Sequence, residues 1–216
     1  MSERAKHWNA VFGTKPEEEM TWHEDESSLS HELVTRHLDP GAPFIDVGGG
    51  SAPLAGRLIA EGYGPVTILD VAPAALARQG ARLGGAVTLI EADITRSPPP
   101  GRYAVWHDRA VFHFLTEPAD RAAYVAALRA GLAAEGVAII ATFDADGPET
   151  CSGLPVARYA PEDLAAELDA LAPGCLTLID SHRHAHVTPR GRTQRFQYSV
   201  FRRCKTDPDD SGVAGR

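Results

Sequence analysis

Three cysteines, Cys151, Cys175 and Cys204, stand in a chain of 216 residues. An odd count at wide spacing builds neither a disulfide framework nor a structural zinc site. The thiols therefore read as buried or reactive side chains. Nowhere does the chain hold the roughly 20 consecutive apolar residues that a membrane-spanning helix needs. Residues 1–30 are charged and polar and lack the apolar core of a secretory leader. The expectation is a cytoplasmic protein without a membrane partner. A dense Lys/Arg run is also missing. The 21 basic residues are outnumbered by 29 acidic ones, for a net charge of −8. That argues against a surface that tracks nucleic acid phosphates. The one basic concentration, Arg190, Arg192, Arg195, Arg202 and Arg203, has the spacing of a strand pair.

What is there suits one α/β domain: 44% hydrophobic and 23% charged residues, in a chain too short for two ordinary domains. Residues 1–40 predict a helical cap, part of the same domain. Helices are expected at 5–12 and 28–38, the second with N-cap candidates from Asp25 to Ser28. An acidic stretch, 17–26, lies between them. From Pro43 short β-rich runs alternate with Ala-rich helical segments. The runs are 44–47, 66–69, 86–90, 103–107 and 136–143; the helices are 53–61, 73–83, 118–133 and 161–171. Pro53, Pro73, Pro118 and Pro161 sit near helix starts, where a missing N–H costs little. This alternation predicts right-handed βαβ units around a parallel sheet. Two long runs, 176–186 and 194–203, close the domain at about residue 204 as a hairpin around Pro189 and Gly191. Residues 205–216 have the composition of a disordered tail.

The run Phe44-Ile45-Asp46-Val47 feeds directly into Gly48-Gly49-Gly50-Ser51-Ala52. Glycine lets the chain turn at a strand's carboxyl end and approach a ligand without a Cβ in the way. Asp70 ends the second run, 24 positions after Asp46, where a carboxylate can accept from ribose hydroxyls. Asp93 ends the third and can accept from an exocyclic amine. Each of the three could instead cap a following helix. As a set they form a row along the ligand-binding edge of an α/β sheet.

Asp46-Val-Gly-Gly-Gly-Ser-Ala52 resembles the first motif of class I S-adenosylmethionine-dependent methyltransferases, with Ala52 in place of the third glycine. Leu69-Asp70 and Ala92-Asp93-Ile94 are similar to that family's second and third motifs. The resemblance spans residues 40–203. It implies a Rossmann-like, seven-stranded, mostly parallel sheet with helices on both faces and a reversed last strand. It also implies S-adenosylmethionine as cofactor and S-adenosylhomocysteine as product. Asp46, Gly48, Gly49, Gly50, Asp70, Val71, Asp93, Ile94 and His107 would line the cofactor. Asp70 would hold the ribose and Asp93 with the Ile94 amide the adenine. An NAD-binding domain is the rival, since it shares the ribose carboxylate.

Trp106-His107-Asp108-Arg109-Ala110-Val111-Phe112 resembles the signature of thiopurine and tellurite-resistance methyltransferases, and that of methyltransferase-like lysine methyltransferases. It is unlike the signature of enzymes that methylate base amino groups. His107 and His113 are the candidate bases, because imidazole titrates near neutrality. His113 also has a packing reading. Asp108 would orient an imidazole or pair with Arg109. Trp22, Phe143 and Cys151 are candidate substrate contacts, with Trp8 and Phe12 beside Trp22 as a lid.

His182, His184 and His186 alternate and would share one face of a strand. Such a stripe could bind zinc or nickel. Its place in the closing hairpin, remote from the methyl site, favours a solvated or partner-facing surface, so no metal is expected. The leading reading is methyl transfer to a small-molecule acceptor, a thiol, another soft nucleophile or a natural-product intermediate. A protein lysine acceptor, drawn by the acidic stretch, is the alternative. A non-catalytic cofactor-binding protein is the third. Nothing requires more than a monomer or weak dimer.

Overall fold

The computed structural model describes residues 2–24 and 28–205. The capping side chains expected from Asp25 to Ser28 and the tail from 206 lie outside the described part. Helix α1 (Glu3–Thr14) opens with Ser2, whose hydroxyl accepts from the Ala5 amide. A 3₁₀ turn (Glu17–Glu19) and helix α2 (Ser28–His37) complete the cap. Then follow β1 (Phe44–Val47), α3 (Leu54–Ala60), β2 (Val66–Asp70), α4 (Pro73–Leu83), β3 (Thr88–Glu91), β4 (Tyr103–Arg109) and α5 (Pro118–Gly131). The chain continues with β5 (Leu132–Phe143), β6 (Thr150–Cys151), β7 (Leu154–Pro155), α6 (Pro161–Leu171), β8 (Leu176–Val187) and β9 (Thr193–Arg203). Pro73, Pro118 and Pro161 open their helices, whereas Pro53 stands just before α3.

Seven strands form one sheet in the order β3-β2-β1-β4-β5-β9-β8. The first five are parallel, and β9 runs antiparallel to both β5 and β8. Central strands β1 and β2 are buried on both faces, as their near-continuous apolar runs demand. One core layer packs α5 and α6 on Ile45, Trp106 and Ile140. The other packs α2 and α3 on Phe44, Val105 and Ile139. Strand order reverses between β1 and β4, so a crevice opens beyond their carboxyl ends.

The crossover from β3 to β4 has no helix. Pro98, Pro99 and Pro100 in that stretch supply no backbone N–H for one. The segment after β5 carries the small β6–β7 hairpin, with Cys151 opposite Leu154.

The cap lies over the crevice. Phe12 and Met20 are buried against Ala72 and Ala75 at the start of α4. Each such side chain contributes about 1.5–3 kcal/mol of burial. The Arg78 guanidinium donates to the Phe12 and Lys15 carbonyls, and the Ala74 amide donates to Asn9 Oδ1 at 3.0 Å.

Candidate functional site

The strand–glycine junction sets the floor of the site. Gly48 and Gly50 have φ of +67° and +53°, a region that favours glycine. A Cβ on Gly48 would lie 2.0 Å from Val111 Cγ2, and one on Gly50 would lie 3.0 Å from Phe12 Cζ. The loop's bare backbone therefore forms one wall of a cavity of about 1150 Å³, measured out to its mouth.

Asp46, Asp70 and Asp93 all line this cavity, as do Gly49, Val71 and Ile94. Asp70 accepts from the Gly50 amide at 2.9 Å and the Ala72 amide at 2.8 Å. Burial pushes its carboxyl up to about 6, with the Asp46 charge adding to the shift against the backbone amides of Ala72, Gly50 and Val71. Asp93 faces Arg4 of α1 at 3.0 Å, and Arg4 also reaches Asp120 at 2.7 Å. Burial alone would raise the Asp93 carboxyl. Hydrogen bonds from Thr95 and the Arg4 charge outweigh it and hold the carboxyl below its usual range.

On β4 the side chains alternate across the sheet. His107 and Arg109 face the cavity. His107 is the in-register neighbour of Asp46. Its Nδ1 lies 2.7 Å from Asp46 Oδ1 and its Nε2 3.0 Å from Ser30 Oγ. The carboxylate only accepts, so Nδ1 donates to it, and in the neutral tautomer this leaves Nε2 to accept from Ser30. Arg109 donates to the Tyr198 hydroxyl at 3.0 Å, the Trp22 carbonyl at 3.1 Å and Glu24 at 2.6 Å. Its guanidinium also sits 5.1 Å above the Phe196 ring.

Three expected site residues are elsewhere. Asp108 points to the opposite face, where it accepts from the Tyr124 hydroxyl at 2.6 Å and the Val111 and Phe112 amides. It anchors the 3₁₀ turn Phe112–Phe114 and orients no imidazole. His113, in that turn, is wholly buried. Its Nδ1 accepts from the Phe143 amide at 3.3 Å, and burial drives its pKa down to about 3. It is a packed neutral ring that does not line the cavity. Phe143 is likewise wholly buried, packed at a tilt against His113 and edge-to-face against Phe196.

Trp22 and Cys151 do line the cavity. Trp22 meets Trp8 and Phe12 edge-to-face at 5.7 and 5.8 Å, which makes an aromatic lid. Burial pushes the Cys151 thiol up, so it is a neutral wall rather than a nucleophile.

The histidine stripe is not remote. His186 Nδ1 lies 3.1 Å and His184 Nε2 3.6 Å from Glu24 Oε1, the oxygen that Arg109 also holds. Strand β8 is antiparallel to β9, which is antiparallel to β5. Its carboxyl end therefore lies on the same sheet edge as the glycine loop. Only His182, bonded to Asp180, stays on the outer part of the strand.

Residues missed from the sequence are Arg4, Ser30, Glu24, Gln194 and Tyr198. Their positions depend on how the cap and hairpin dock, and no local pattern announces them. Only the Tyr198 alternation with Phe196 along β9 offered a signal.

No protein-family model and no curated protein matches the chain by sequence. Solved structures do match it over nearly its whole length. The 1,6-didemethyltoxoflavin-N1-methyltransferase of Burkholderia thailandensis, bound to 1,6-didemethyltoxoflavin and S-adenosylhomocysteine, aligns with a TM-score of 0.69 at 20% identity, over 94% of this chain and 92% of that one. The N-methyltransferase NodS of Bradyrhizobium japonicum WM9, complexed with S-adenosylhomocysteine, aligns at 0.68 and 14% identity, over 93% and 99%. A structure concerned with the conversion of a disulfide bond into a thioacetal group during echinomycin biosynthesis aligns at 0.73 and 18%, over 97% of each chain.

The chain has the S-adenosylmethionine-dependent methyltransferase fold. In that fold the antiparallel β9, inserted between β5 and β8, marks the difference from an all-parallel dinucleotide-binding sheet. Among the described residues no helix is long and apolar enough to cross a membrane.

Proposed function

We propose that the chain is an S-adenosylmethionine-dependent methyltransferase acting on a small-molecule acceptor. The observation that carries this reading is the convergence of the bare Gly48–Gly50 backbone with Asp46, Asp70 and Asp93 on one covered cavity. The glycine positions leave no room for side chains, which suits close approach of a ligand to their amides. Asp70 holds both ribose hydroxyls. Asp93 and the Ile94 amide take the adenine edge, with Arg4 closing over them. When bound, the cofactor supplies an electrophilic methyl group on a sulfonium.

The protein's part is alignment and exclusion of water. Trp8, Phe12 and Trp22 cover the cavity, and Arg109 and Phe196 form its far wall. An acceptor that must lose a proton can pass it to Ser30 Oγ, whose own proton moves to His107 Nε2. Asp46 then stabilises the imidazolium, as a carboxylate does in an oriented His–Asp pair. A thiolate or other soft acceptor needs positioning alone.

The cap supports a small acceptor over a protein segment. Two acidic residues of the stretch are already paired: Glu17 lies near Arg78 and Arg82, and Glu24 is held by Arg109. The neighbours named above include N-methyltransferases, one with 1,6-didemethyltoxoflavin bound.

A radiolabelled-methyl assay against pools of thiols, heteroaromatic amines, phenols and host proteins tests the reading. Label is expected in a small-molecule fraction. Label confined to protein would favour the lysine acceptor. Cofactor binding without transfer to any pool would favour the non-catalytic reading.

A further inference from the structure

The tip of β8 and the end of the cap bring three metal-ligating side chains together. Glu24, His184 and His186 each offer one donor atom, and these atoms lie within 4.8 Å of one another. Two distances are shorter: Glu24 Oε1 to His186 Nδ1 is 3.1 Å, and to His184 Nε2 is 3.6 Å. Donors on a tetrahedral zinc at about 2.0–2.1 Å are separated by roughly 3.3 Å. The observed pair of distances straddles that value.

The hydrogen bonding around His186 adds an independent argument. Its Nε2 lies 2.7 Å from the Thr21 carbonyl oxygen. A carbonyl only accepts, so Nε2 carries a hydrogen. In its neutral form the ring then turns a bare Nδ1 lone pair toward the Glu24 carboxylate, which is also acceptor-only. Two acceptors 3.1 Å apart need a positive charge between them. The Nε2–H bond to a backbone carbonyl is also the outer contact that fixes a metal-ligating imidazole.

We propose that Glu24, His184 and His186 bind one zinc ion, with water as the fourth ligand, and that the ion ties the cap to the hairpin. His186 is almost fully buried, whereas the side chain of His184 is 29% exposed, which leaves a side for water and for entry. Arg109 bonds the same carboxylate at 2.6 Å. It serves as the outer partner of a ligating carboxylate, and its charge keeps the affinity moderate. Through Glu24 the ion orders Arg109 and the Trp22 carbonyl, both on the cavity wall. The site is independent of the acceptor chemistry.

The test is zinc titration of untagged, metal-stripped protein against a chromophoric chelator, with cobalt substitution as the spectroscopic readout. Wild type is expected to bind one zinc per chain, and bound cobalt to show visible bands of a low-coordinate site. His184→Ala and His186→Asn should weaken zinc by at least about tenfold and abolish the cobalt bands. His182→Ala, on the same stripe but bonded to Asp180, should change neither. His184→Ala alters a partly exposed position and keeps the fold, which circular dichroism verifies. The proposal is overturned if wild type takes up no stoichiometric zinc, or if the His184→Ala/His186→Asn double variant binds it as wild type does. It is also overturned if nitrogen NMR finds both His186 ring nitrogens protonated with an equivalent of zinc present. That last result would mean a proton, in a buried ion pair, fills the role.

Discussion

Replacing Gly48 by alanine tests the glycine floor through two separable costs. The first is conformational. At φ +67° an L-residue pays about 1–2 kcal/mol that glycine does not. The second is overlap. The new Cβ would sit 2.0 Å from Val111 Cγ2, whereas carbons at rest lie about 3.5–4.0 Å apart. Val111 cannot retreat freely, because its amide is held by Asp108 at 2.7 Å. Overpacking of this kind costs about 1–3 kcal/mol. The sum is about 2–5 kcal/mol, or roughly 4–20 °C in Tm for a chain of this size. Gly41→Ala provides the control, since Gly41 has φ +85° and nothing within 4 Å of a built Cβ. It should show the conformational cost alone. Val111→Ala removes the clashing Cγ2 and leaves Val111 Cβ, 3.5 Å away, as the next contact. In the Gly48→Ala background it should recover the overlap share, read as a coupling in a double-mutant cycle by thermal and urea unfolding. The reasoning fails if Gly48→Ala costs no more than Gly41→Ala, or if Val111→Ala restores nothing.

Cofactor affinity should depend on pH through Asp70. Its carboxyl stands at about 6 in the free protein, and ribose hydroxyls donating to it favour the ionised form. Binding therefore releases a proton below about pH 6, and affinity for S-adenosylhomocysteine falls by up to about tenfold per pH unit there. A wild-type profile that stays flat from about pH 7 to about pH 5 would contradict this. Ser30→Ala should slow transfer to amine or hydroxyl acceptors by about 10²-fold while sparing thiolates; equal loss with both acceptor types would remove the relay. His113→Leu should cost about 1–3 kcal/mol by orphaning the Phe143 amide, with kcat retained. A kcat collapse in folded His113→Leu protein would return that ring to the active site.

Much of the fold was legible because strand and helix periods and the proline positions agree. Pro73, Pro118 and Pro161 mark helix starts to the residue. The row Asp46, Asp70 and Asp93 was legible because each lies within two residues of a strand's end, and those ends share one edge. Asp108 was misplaced because three adjacent residues were read as one unit, although the period of two already sends it opposite to His107 and Arg109. The histidine stripe was misjudged for a topological reason. Two antiparallel steps return the far end of β8 to the site's own edge, and sequence distance hides that. Ser30 and Glu24 belong to the cap. Its docking rests on Phe12, Met20 and the hydrogen bonds of Arg78, all contacts distant in sequence.

The central claim is that this cavity is built for S-adenosylmethionine, and calorimetry with its demethylated product measures that directly. One equivalent should bind wild type with micromolar or tighter affinity, NAD should not compete, and Asp70→Ala should weaken binding by at least about tenfold, the loss of a charge-assisted pair of hydrogen bonds. No heat of binding would contradict the claim for the whole site. Binding unchanged in Asp70→Ala would contradict the assignment of the ribose to that carboxylate.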